Sequence, residues 1–234
     1  MSKKAKRFYD EVSVAEKSGG WIVKLDAREL KTPGREALIL SHSHAILLAA
    51  EWDAQVDTIK PETMPVTRLL NVAAERTPIN RDALIAEAAK YGGTDLLSYR
   101  SEDRPLFDRQ TDAWDPVLAW AKTRHTIDLK TTVGIMAIDQ DPKSLNQIAD
   151  YAADLGNINL TLLLHFTAVL GSAVLAIAVI DRHLKCDAAL DLSRLDEIFQ
   201  IERWGQDEEA QERTDAMYAE SQALAQLITG TFKL

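Results

Sequence analysis

The sequence predicts an α+β protein: a small N-terminal antiparallel β-sheet with helices, followed by a multihelical C-terminal domain. Three observations carry this reading. Between residues 8 and 40 short runs of β-favouring residues are separated by Gly and Pro turn signals. From residue 41 the apolar spacing changes to a helical period. Residues 155–180 then carry no Asp, Glu, Lys or Arg, as a helix enclosed by other helices would.

Taken in order, Phe8 to Glu16 alternates loosely, Ser18-Gly19-Gly20 turns the chain, and Trp21 to Leu25 forms a second run. Thr32-Pro33-Gly34 marks another turn before a run from Ala37 to Leu40, completing an antiparallel meander. Ser41 or Ser43 suits the cap of the first helix, because a serine oxygen accepts from the free N–H groups of the first turn. Ala45, Leu48, Ala49, Trp52 and Val56 share a stripe on that helix, so Trp52 packs inward. Glu51, Asp53 and Gln55 lie off the stripe and are left for a partner.

A second short helix fits residues 66–76, and Asn80 caps a third that stops at Gly92-Gly93. The two glycines place the domain boundary there: an α/β domain with the meander over 1–92 and a helical domain over 93–234. Trp114-Asp115-Pro116 and Asp141-Pro142 each read as a cap followed by Pro at the first helical position, where its missing N–H costs nothing. The uncharged run over 155–180 is long enough for a membrane span, which takes roughly 20 apolar residues. Its Asn157, Asn159, Thr161, His165, Thr167 and Ser172, with Asp154 and Asp181 at its ends, favour a buried central helix instead, with His165 a hydrogen-bonded core residue.

Composition narrows the function. The 234 residues are 46% hydrophobic and 27% charged, with net charge −9. Such an acidic chain is poorly suited to a nucleic-acid backbone, which is held mainly by Lys and Arg. One cysteine, Cys186, allows no intrachain disulfide. The basic start, Met1 to Arg7, is followed by neither an apolar signal core nor an acid-free presequence, so a cytoplasmic protein is expected.

Catalytic signatures are missing: no phosphate-cradling loop, no Gly-x-Gly-x-x-Gly, no nucleophile elbow and no His-Glu-x-x-His. His42-x-His44, His183 with Cys186, and Asp139-x-Asp141 do not complete a metal-ligand set, so neither metal nor cofactor is expected. Residues 194–213 are more suggestive. Leu192, Leu195, Ile198 and Phe199 form one apolar stripe, while Glu197, Ile201, Trp204 and Glu208 fall on roughly the opposite side. Either this helix is buried on both sides, or its second face is a contact patch in which an aromatic anchor is ringed by acids. Gly205 is placed to break it.

Five motifs, in this order and spacing, carry a resemblance: Glu51-Trp52-Asp53-Ala54-Gln55, Ile59-Lys60-Pro61-x-x-Met64-Pro65-Val66-Thr67, Asp95-Leu96-Leu97-Ser98-Tyr99-Arg100, Trp114-Asp115-Pro116 and Gln200-x-x-x-Trp204-Gly205. From about residue 7 to 225 the chain resembles the assembly chaperone of the ATP synthase catalytic head, the family that attends the alpha subunit. The resemblance implies a non-enzymatic monomer that binds unassembled alpha subunit, masks its beta-facing surface and releases it as the hexamer forms. The family occurs in mitochondria and in alpha-proteobacteria, and the lack of a presequence points to an alpha-proteobacterial, cytoplasmic member; the resemblance implies an α/β domain followed by a helical one. It also implies a role for the acidic residue eight positions before the Trp-Gly pair, here Asp196, and for Trp52. The expected partner-binding residues are therefore Asp196, Glu197, Ile201, Trp204, Gly205 and Glu208, with Glu51, Trp52 and Asp53 as the family motif. Two alternatives remain: a small-molecule enzyme with an unrecognised acid/base site between the domains, and a helical adaptor for a membrane protein.

Overall fold

The meander folds as a hairpin with a short third strand. In the computed structural model, which describes residues 5–205 and 208–228, β1 (Val12–Lys17), β2 (Gly20–Leu25) and β3 (Arg28–Glu29) form an antiparallel sheet in that order. Lys17 pairs with Gly20, leaving Ser18-Gly19 as a two-residue loop with Gly19 at φ +93°. Gly20 is also required: a Cβ there would lie 2.6 Å from the Leu40 carbonyl oxygen, because Trp21 and Leu40 exchange backbone hydrogen bonds of 2.8 Å. The expected strand over Ala37–Leu40 is reduced to two isolated bridges, Lys31 with Ala37 and Trp21 with Leu40. Pro33 and the left-handed Arg35 (φ +67°) bend the chain away from continuous pairing.

Helix α1 (His42–Asp53) is capped by Ser41, whose Oγ accepts from the His44 N–H at 3.2 Å. It lays Ala45 and Leu48, both fully buried, over β1 and β2. A 3-10 turn at Pro61–Thr63 leads into α2 (Pro65–Glu75). These elements make up the first of two units, Met1–Ile79.

The second unit runs from Asn80 to Leu234. Helix α3 (Thr77–Gly92) starts ahead of the expected cap at Asn80. From Asn80 onward it belongs with the second unit, although the glycine pair had suggested a boundary at its far end. Arg81 donates to the carbonyls of Ala153 and Leu155 at 2.8 and 2.5 Å. At Gly92, a Cβ would sit 2.4 Å from Ile148 Cδ1. Gly92 thus marks a close helix approach.

Strand β4 (Tyr99–Arg100) pairs in parallel with β5 (Thr132–Val133), a contact that the sequence did not suggest. Between them runs α4 (Arg104–His125), a single helix that continues through Pro116. The expected fresh start at Asp115 is therefore corrected. Pro116 gives up one hydrogen bond, but Trp114 is 1% exposed and its indole N–H donates to the Leu192 carbonyl at 2.9 Å. This burial outweighs a loss of about 3 kcal/mol. Helix α5 (Pro142–Asp154) has the expected cap, with Asp141 accepting from the Lys143 N–H at 2.9 Å.

The uncharged run is two helices rather than one: α6 (Asn157–Leu170) and α7 (Ala173–Ile180). They are parted at Gly171 (φ +63°) and Ser172, whose Oγ accepts from the Leu175 N–H. All eight residues of α7 are buried, among α4, α6 and α8 (Cys186–Ser193). Among the described residues no helix is long and apolar enough to cross a membrane. His165 is half-buried beside Phe166 rather than enclosed. Helix α9 (Leu195–Trp204) packs on α8 and α4, and α10 (Glu208–Ala225) on α8 and α6.

Candidate functional site

Most motif residues have structural roles. Glu51 is half-buried, and its carboxylate closes the start of α2: Oε1 accepts from the Val66 N–H at 2.6 Å, and Oε2 accepts from the Thr67 N–H at 2.7 Å and the Thr67 hydroxyl at 2.8 Å. Burial raises its pKa against the pull of these donors. Gln55 is buried: its oxygen accepts from the Lys60 N–H at 2.8 Å, and its amide donates to the Glu51 carbonyl at 3.1 Å. Neither side chain is left for a partner, which corrects the expectation from the helix stripe. That stripe places side chains around one helix and is blind to the loop that folds back over its end. Asp53 is exposed and faces Arg7 at 3.8 Å. Trp52 is half-buried, its ring 5.8 Å from Tyr9, and its Nε1 is buried without a hydrogen-bond partner among the described residues.

A second network ties together the motifs around Arg100 and Trp114. Arg100 is buried, donates to the Leu97 carbonyl at 2.5 Å, pairs with Asp115 at 2.7 Å and lies 5.0 Å from the Trp114 ring centre. Asp95, fully buried, accepts from the Leu97 N–H at 3.0 Å and the Val174 N–H at 3.1 Å, so one carboxyl serves a 3-10 turn and the start of α7. Burial pushes its pKa up to about 6.

The last motif lies on α9, where only Leu195 is buried. The helix is not enclosed on both sides. Its charged side chains are held along α4: Gln110 donates to Asp196 at 2.7 Å, Arg109 grips Glu202 through bonds of 2.6 and 2.9 Å, and Arg203 reaches Asp103 at 2.9 Å. Gln110 in turn accepts from the Ser101 N–H at 2.7 Å. Glu197 is paired with Arg194 at 2.7 Å, and Glu202 with Arg109, and each arginine lowers its partner's pKa. Trp204, at the end of the helix, is 75% exposed. Gly205 follows at φ +83° and ends α9. Glu208 therefore belongs to the first turn of α10 and does not continue the face of α9.

Ile198 and Ile201 do not lie on opposite sides, as the stripes suggested; three residues apart, they share one. They line an open groove of about 340 Å³ with Arg194, Gln211, Thr214 and Tyr218. Tyr218 donates to Asp191 at 2.6 Å, and burial with that carboxylate pushes its pKa up to about 12. Nothing in the sequence singles out Arg109 or Tyr218, because their pairings join separate helices. No group of three or more metal-ligating side chains converges among the described residues. What the site offers is a contact surface: exposed Trp204, a partly apolar groove and immobilised charges.

The ATP12 chaperone protein family matches residues 6–122. The chain is 39% identical to the crystal structure of Atp12 from Paracoccus denitrificans, covering 94% of this chain and 96% of that one with a TM-score of 0.87. It is 36% identical to the crystal structure of the Atu1473 protein from Agrobacterium tumefaciens, covering 95% and 85% with a TM-score of 0.90. Among curated proteins, mitochondrial atp12 of Schizosaccharomyces pombe is 23% identical over 225 residues, 88% of this chain and 76% of that protein.

Proposed function

Because the chain belongs to the ATP12 chaperone family and serves ATP synthase assembly rather than catalysis, we propose that it binds the unassembled ATP synthase alpha subunit, masks its beta-facing surface and releases it as the catalytic hexamer forms. An unassembled subunit exposes apolar interface, and a partner covering that interface suppresses aggregation. Release requires only that the beta subunit binds the same surface more favourably, so no hydrolysis step is needed. The protein acts as a monomer in a bacterial cytoplasm.

The observation that carries this reading is Trp204, 75% exposed at the end of a helix whose neighbouring charges are already paired. An aromatic side chain left outside, surrounded by groups fixed in place, is preorganised for a partner. Asp196, Glu197, Ile201, Gly205 and Glu208 complete the contact region. The reading is tested by mixing the chain with purified alpha subunit and following light scattering and complex formation. Wild type keeps the subunit soluble, whereas Trp204→Ala loses this with its unfolding transition close to wild type; Asp196→Lys loses it too and also lowers stability, because the buried Gln110 amide is left without its acceptor. Full protection by the double variant would remove the site from α9.

A further inference from the structure

Between β5 and α5 the chain presents a second apolar surface that no motif contains. Val133 is 53% exposed, Ile135 97% and Met136 76%. A loop tip needs no large aliphatic side chains, and their exposure here is consecutive rather than scattered. The base of the loop is firmly placed. β5 pairs with β4, and the Gly134 N–H donates to the Arg100 carbonyl at 2.9 Å; the Arg100 side chain is itself buried and pairs with Asp115. The loop therefore projects from a rigid base.

Its position relative to α9 follows from contacts in series. A Cβ on Gly134 would lie 3.1 Å from Glu102 Oε1. The next residue, Asp103, pairs with Arg203, and Arg203 precedes Trp204. Glu102 thus stands beside the base of the loop, one residue from the ion pair that ties the start of α4 to the end of α9. It is exposed and forms no ion pair among the described residues. Its neighbours differ: Asp103 is taken by Arg203, Asp108 by Arg104 and Glu202 by Arg109.

We propose that the Val133–Met136 loop and Trp204 are two anchors of one docking surface, spaced around Glu102, for a segment of the partner subunit that brings apolar side chains to both ends and a Lys or Arg to the centre. This rests on the alpha-subunit reading above and specifies the chemistry of the segment held. Apolar anchors provide affinity where they become fully desolvated, and the unpaired carboxylate sets register and steers a basic partner toward an acidic chain.

The test uses the full chain and purified alpha subunit, with affinity measured at two salt concentrations. The double variant Ile135→Ser/Met136→Ser weakens binding about tenfold or more, with no change in thermal unfolding because both side chains are already in water. Glu102→Lys weakens binding at low salt and less at high salt. A benzophenone attached at Ile135→Cys cross-links to the alpha subunit, a readout that does not depend on affinity. Wild-type affinity in the double variant, or no cross-link, overturns the loop anchor; if Trp204→Ala still weakens binding, the α9 reading survives alone. If wild type does not bind the alpha subunit at all, both proposals fall together.

Discussion

Glu51→Ala isolates a brace that holds the first unit together. The substitution removes an acceptor for two backbone N–H groups and one hydroxyl at the start of α2. Loss of a helix-start acceptor costs about 0.5–2 kcal/mol, and hydrogen bonds to a charged group contribute about 1.5–3 kcal/mol each when buried. Glu51 is only half-buried, so water replaces part of what is lost, and the desolvation that raises its pKa is relieved at the same time. The net loss is about 2 kcal/mol. For a chain of this size that lowers the midpoint of unfolding by roughly 4–8 °C. Urea unfolding reads the stability, and amide hydrogen exchange at Val66 and Thr67 reads the mechanism, because both N–H groups lose their acceptor. A loss below about 0.5 kcal/mol with unchanged exchange at those amides would refute the brace and return Glu51 to the list of partner contacts.

Three further predictions concern the second unit. Burial raises the folded pKa of Asp95 from the ordinary 3.8 to about 6, so the native state holds the proton more tightly than the unfolded chain. Stability therefore falls as pH rises through that window and is lower by about 3 kcal/mol above it; Asp95→Asn flattens this slope in urea unfolding between pH 4 and 7, and an unchanged slope assigns it to another group. Trp114→Ala empties a fully enclosed site and strands the Leu192 carbonyl and Arg100, costing about 3–5 kcal/mol, whereas Trp204→Ala leaves the unfolding midpoint within measurement error. Gly92→Ala overpacks against Ile148, costing about 1–3 kcal/mol, and adding Ile148→Val, which removes the offending methyl, recovers part of the loss in a double-mutant cycle.

Local chemistry was readable wherever a residue acts on its own segment. Ser41 and Asp141 cap the helices they precede, and Ser18-Gly19 turns the hairpin, because each depends on neighbours in sequence. Long-range requirements were not readable. Pro116 sits mid-helix because burial of Trp114 rewards continuity. Gly92 ends its helix as its glycine suggested, but that it also admits Ile148 was hidden. Glu51 and Gln55 looked available, since nothing in a helical stripe reveals a returning loop. In the candidate site, Trp204 and Gly205 stood out from the sequence, because a large aromatic beside a helix-breaking glycine is visible without coordinates. The groove formed by Ile198 and Ile201 was not visible, because it needs α10 as its other wall.

The left-handed turn at Gly171 also has a consequence for helix length. An unbroken helix from Asn157 to Ile180 would be about 36 Å long, more than the roughly 30 Å of a bilayer's hydrocarbon core. Broken where it is, neither half reaches across. A side chain at residue 171 would oppose the turn and favour the longer rod. One glycine thus divides a run long enough for a bilayer into two helices, each too short to cross one alone.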